Sequence, residues 1–209
     1  SAGVFFCGRT MAKSRLYVSV GGALAHAKRL SNNAKKIEQV MARSKATVMR
    51  RVGPEAARLI SADVLNLTSR RISPHIRVTA NTVKGVGEYI VVNASRTRLP
   101  ISDFTPRFSK REGVTVTTWR EQGPKQYARA FKRRDGKKGV WQRVPASRKS
   151  DALVARLPIT ERKGPSLHRV FQFNGPYAGH GDIRPQLTAF IQSRLSQEIT
   201  RLLDVARRT

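Results

Sequence analysis

The pattern Arg-Leu-Pro-Ile followed by Ser or Thr occurs twice, at residues 98–102 and 156–160, on either side of a predicted β-hairpin. Each copy sets a proline inside a short apolar run. Proline cannot donate to a β-ladder, so neither copy can be a central strand, and both belong at sheet edges or in extended connections. Between them, residues 127–131 and 140–144 flank Asp135-Gly136, a dipeptide that favours the positive φ of a hairpin turn. Alternation or β-branched enrichment over 75–79, 88–94 and 113–119 adds further strands.

The flanks follow a different period. After a short strand signal in Leu16, Val18 and Val20, ended by Gly21-Gly22, the residues Ile37, Val40, Met41, Ser44 and Val48 recur at helical spacing. Lys35, Lys36, Arg43, Lys45, Arg50 and Arg51 mostly take the other faces. Gly53-Pro54 is expected to stop or kink this helix. Ala56, Leu59 and Ile60 restart the stripe, Asn66 is placed to cap a short helix through Ile72, and Pro74 ends the helical third. Near the other end Asp182 caps, Pro185 fits a first turn, and Leu187, Phe190, Ile191, Leu195, Ile199, Leu202 and Ala206 form an apolar stripe.

The predicted class is therefore α+β: N-terminal basic helices, a central and mostly antiparallel β-sheet with a long basic hairpin, and a C-terminal helix packed on the sheet. Four segments follow. Residues 1–10, ahead of a start-like Met11-Ala12-Lys13, are expected to be a disordered extension. Residues 11–73 hold a strand and helices, 74–173 a β-rich core, and 174–209 a loop and the last helix.

Charge narrows the function. Lys+Arg 41 against Asp+Glu 13 gives a formal charge of +28, which points to polyanionic or acidic partners. Arginine outnumbers lysine, which suits bidentate contact with phosphate or carboxylate, although a GC-rich genome produces the same ratio. Lys132, Arg133, Arg134, Lys137 and Lys138 surround the Asp135-Gly136 turn, so five cations project from one hairpin. Unpaired charge is too costly to bury. This finger meets DNA phosphates or an acidic neighbouring subunit, or it is a solvated loop that keeps the chain soluble.

Catalysis finds no constellation. His26, His75, His168 and His180 are far apart in sequence, and no GxSxG, HExxH, P-loop or Rossmann fingerprint is present. His180 and Asp182 supply two neighbouring oxygen or nitrogen donors, fewer than a metal site needs. The single Cys7 rules out an internal disulfide, and no apolar run reaches the length of a membrane span. The chain is read as a non-enzyme with no cofactor and no membrane contact. Residues 55–64 and 67–72 loosely resemble a helix-turn-helix, but the second helix is too short, and packing is the simpler account. Aromatic content of 7% does not form the stacking array of a single-strand binder.

Taken in order, Leu99-Pro100-Ile101, Gly113-Val114-Thr115-Val116, Ala130-Phe131, Gly139-Val140-Trp141-Gln142-Arg143, Leu157-Pro158-Ile159 and Gly164-Pro165-Ser166 make one ordered block. That order resembles the minor tail protein Z family, the tail-completion proteins of lambda-like long-tailed phages and their prophages. The segment 171–181, rich in glycine and aromatics, departs from the family pattern. The resemblance implies a structural virion protein, made in the host cytoplasm, that acts at the head-proximal end of the tail and joins it to the filled head. It implies a tail terminator and head-neck connector proteins as partners, a homo-oligomeric ring with six copies as the candidate number, and DNA in the tail or neck channel. On this reading Leu99, Pro100, Ile101, Leu157, Pro158, Ile159, Gly164, Pro165 and Ser166 are edge elements meeting a neighbouring subunit or the terminator. The competing class is a sequence-independent basic DNA-binding protein.

Overall fold

The computed structural model describes residues 15–30, 34–83, 87–133, 139–143, 159–171 and 183–208. The extension expected at 1–10 and the Asp182 cap lie outside the described residues.

Four helices and eleven strands make a mixed α+β fold among the described residues. The organising element is α2 (Ala34–Leu59), which follows α1 (Gly21–Leu30). Ile37, Val40, Met41, Val48 and Val52 are buried along one side of α2, and Ala56, Ala57 and Leu59 continue that side. Pro54 neither stops the helix nor ends its stripe, which corrects one of the two expectations for Gly53-Pro54. The ring is exposed, so the carbonyl it leaves unpaired one turn back can meet water, while buried neighbours on both sides hold the helix in register. A π-helical turn, Ile60–Val64, ends the run, closed by the Leu65 N–H donating to the Ile60 carbonyl at 2.8 Å.

Next comes α3 (Ser69–Ile72), whose N-cap is Thr68 and not Asn66. Asn66 is otherwise engaged: its backbone N–H donates to Thr118 at 3.0 Å and its side-chain amide to the Thr117 carbonyl at 3.3 Å. The Arg120 N–H donates to the Val64 carbonyl at 3.0 Å, so a short antiparallel bridge at Leu65 and Trp119 ties the helical region to the strands.

The largest sheet combines β1 (Arg15–Ser19), β2 (Ile76–Val83) and β3 (Gly87–Ala94), with β3 in the middle and both pairings antiparallel. Period-two alternation gives it one apolar face, where Leu16, Val18, Ile90 and Val92 are buried. That face meets the helices: a Cβ on Gly53 of α2 would lie 3.8 Å from a Val78 methyl, and Lys45 of α2 pairs with Glu88 of β3. The remaining strands form three small antiparallel sheets instead of one central sheet. β4 (Arg98–Pro100) pairs with β11 (Lys163–Ser166). β5 (Arg107–Ser109), β6 (Gly113–Val116) and β7 (Lys125–Tyr127) form the second. β8 (Ala130–Phe131), β9 (Trp141–Arg143) and β10 (Ile159–Glu161) form the third.

The last helix, α4 (Arg184–Arg208), has Pro185 in its first turn, as expected. Ile183, Leu187, Ile191, Leu195, Ile199 and Leu203 are buried, while Phe190 and Leu202 pack half-buried beside them. Leu203 carries the stripe onward from Ile199 at a four-residue step. The helix lies chiefly on α2 and α1 and reaches the sheet through β1. A single apolar core runs through all of these parts, from Leu16 to Leu203.

Two tests follow from this packing. The Ser44 hydroxyl lies fully buried on the apolar side of α2 and finds no hydrogen-bond partner among the described residues. An orphan hydroxyl costs about 1–3 kcal/mol, so Ser44→Ala is expected to stabilise the fold by roughly 1 kcal/mol once the small void is allowed for, read as a higher midpoint in denaturant unfolding. His168, beside β3, has its pKa lowered from 6.5, first by burial and then by the nearby Arg96 charge. Protonation is therefore harder in the folded chain than in the unfolded one. Its contribution to stability is present above the ordinary histidine value and is lost as pH falls through the lower folded value. Thermal melts between neutral pH and pH ~5 should show this loss, and His168→Gln should flatten it.

Candidate functional site: the basic hairpin

Pairing of Ala130 with Gln142 and Phe131 with Trp141 joins β8 to β9 in the antiparallel sense expected on either side of the turn, while the Asp135-Gly136 turn itself lies outside the described residues. Of the five expected cations, Lys132 is exposed and Arg133 is half-buried. Arg134, Lys137 and Lys138 lie outside the described residues.

The root of the finger is firmly built. Val140 is fully buried and Ala130 nearly so, which anchors both legs in the core. β10 closes the other side of β9, pairing Thr160 with Gln142 and Glu161 with Trp141. The Arg162 N–H donates to the Val140 carbonyl at 2.7 Å, the Arg162 side chain donates to Gln142 Oε1, and Gln142 Nε2 donates to the Ala128 carbonyl at 2.8 Å. Arg129, at φ 59°, turns the chain from β7 into β8 in the left-handed region, a conformation that costs a non-glycine residue on the order of 1 kcal/mol.

On this root the guanidinium of Arg133 stacks over the Trp141 ring, 5.0 Å from its centroid. Such a contact contributes about 0.5–1 kcal/mol at a partly exposed position. Lys125 sits over Tyr127 at 5.7 Å in the neighbouring sheet. Exposed Arg129, Lys132, Arg162 and Lys163 lie in the same group of short strands, and Glu161 is the one acid on β10. Planar guanidinium groups held in this way offer paired N–H donors to phosphate or carboxylate oxygens. The sequence shows the charge; it does not show the stack, which depends on the Phe131–Trp141 register. The nearest signal was an aromatic residue placed across the turn from a run of cations.

The two Arg-Leu-Pro-Ile copies have different fates. Leu99 and Ile101 are fully buried, and Arg98–Pro100 pairs inside the chain with Lys163–Ser166. Leu99 and Ile101 therefore serve the chain's own core, which corrects their expected role as partner contacts. Pro100, Gly164 and Pro165 are half-buried and Ser166 is buried. Gly164 permits this approach: a Cβ there would come within 3.1 Å of the Phe104 ring and 3.3 Å of the Leu99 carbonyl. In the second copy Ile159 is 39% exposed at the sheet edge, an environment opposite to that of Ile101, while Leu157 and Pro158 lie outside the described residues.

Among the described residues no three histidine, cysteine or acidic side chains converge to hold a metal, and no helix is long and apolar enough to cross a membrane. Comparison with protein-family models, with curated proteins and with solved structures returns no match for this chain.

Gly139, where the loop re-enters β9, has φ 143°, and a Cβ there would sit 2.9 Å from Trp141 Nε1 and 3.2 Å from Glu161 Oε1. Gly139→Ala is expected to displace the indole and loosen the finger root at a cost of about 1–3 kcal/mol. Hydrogen exchange should show faster exchange over residues 130–143, with the α2–α4 region unchanged.

Proposed function

We propose that the chain is a structural tail-completion protein, acting at the head-proximal end of a phage tail and joining it to the head. The observation that carries this reading is the ordered block from residue 98 to residue 166. The fold gives that block a physical unity: its first and last pieces pair as β4 and β11, and β8 and β9, which flank the basic segment, pair between them. A closed excursion with a cationic tip suits a protein that sits on its own core and reaches toward an acidic collar surface or the DNA path. Its partners on this reading are a tail terminator and head-neck connector proteins.

The stacked cation at Arg133 favours a second reading, a sequence-independent DNA-binding protein. Contact with about seven phosphates would give a log-affinity against log-salt slope near −6. Replacing Lys132, Arg133, Arg134, Lys137 and Lys138 with Ser separates the two. In a phage or prophage that encodes the chain, a tail-completion protein should keep its melting profile yet lose infectious titre, with unjoined heads and tails in electron micrographs. A DNA binder should lose most of its affinity and flatten its salt slope while assembly proceeds. Heads and tails that join normally after deletion of the gene would refute the tail reading outright.

A further inference from the structure

β2 is eight residues long and, among the described residues, lies at the edge of its sheet with β3 on one side only. Arg77, Ala80, Asn81 and Thr82 are exposed. Exposed edges are usually blunted by proline, lysine, a bulge or short length, because a free row of N–H and C=O groups invites another strand. β2 has none of these guards: its register against β3 runs unbroken from Ile76 to Val83. The contrast within the molecule is direct, since β4 and β11 carry Pro100, Lys163, Pro165 and a register shift.

The geometry points to edge-to-edge, antiparallel pairing of β2 with β2 of a second copy, about a two-fold axis at Thr79. Charge does not call for an acidic strand here, because Arg77 is the only charged residue of β2. The strand is instead complementary to itself. With the axis at Thr79, Thr79 faces the partner's Thr79, Arg77 faces the partner's Asn81, and Val78 faces the partner's Ala80. Like charges never oppose each other, and residues of one sheet face stay on that face. A one-residue slip would turn every side chain to the wrong face. Moving the axis to Ala80 would set Arg77 against the partner's Val83 and lose the polar pair. A two-fold contact also satisfies the β2 edges of both copies at once and closes at the dimer. The pairing rests on β2 alone and holds or fails independently of the tail reading; a ring would then be assembled from dimers through other surfaces.

The test is sedimentation of the full chain carrying Asn81→Glu or Asn81→Lys. Asn81 is exposed, and each substitution changes two symmetric cross-strand pairs. Asn81→Glu should tighten dimerisation and Asn81→Lys weaken it, each on the order of 2- to 30-fold in Kd. Gln39→Glu and Gln39→Lys, on the exposed side of α2, should leave it unchanged. Added salt should strengthen the dimer, since the copies carry the same sign, whereas contact with phosphate weakens with salt. In a Cys7→Ser background, Thr79→Cys should give a disulfide-linked dimer on mild oxidation. A monomer at every salt and protein concentration overturns the proposal. So does a dimer indifferent to both Asn81 substitutions, or one that cross-links through Ala80→Cys in place of Thr79→Cys.

Discussion

Burial of the α2 stripe is the constraint on which the other parts depend. Three elements meet that one helix: the sheet through Gly53 and Val78, α4 through the Leu187–Leu203 stripe, and α1, which also touches α4. No other element contributes to so much of the core. Most of its cations face water and its buried side is apolar apart from Ser44, so a strongly charged chain still has one continuous interior. Hydrophobic burial is non-directional, and direction comes from the polar bridges at Leu65–Trp119 and Lys45–Glu88, which fix how the strands sit on the helix.

Local patterns were readable from the residues, and non-local pairings were not. The stripes of α2 and α4, the strands β2 and β3, and the pairing of β8 with β9 all follow from period and turn chemistry. Pro54 misled because propensity speaks for an isolated helix, whereas buried Val52 and Ala56 override it here. Asn66 misled because a capping side chain has other uses when a carbonyl distant in sequence, that of Thr117 just after β6, lies within reach. That β1 would lie against β3, across an intervening long helix, is written nowhere in its five residues.

The two Arg-Leu-Pro-Ile copies make the same point within one chain. Ile101 of the first copy is buried and Ile159 of the second is exposed at a sheet edge, because Phe104 and Gly164 enclose the first. A repeated motif fixes local backbone preference; burial is decided by what folds over it. The same division holds at the finger. Its charge is a property of composition, but the orientation of Arg133 is a property of strand register.

The stacking of Arg133 on Trp141 has an optical consequence. The chain has two tryptophans, and the other, Trp119, is only 5% exposed and bridged to Leu65. Any anion that draws the guanidinium away from the indole changes the surroundings of one chromophore and leaves the second as an internal reference. The protein thus carries its own emission gauge for whatever the finger touches, with no dye attached.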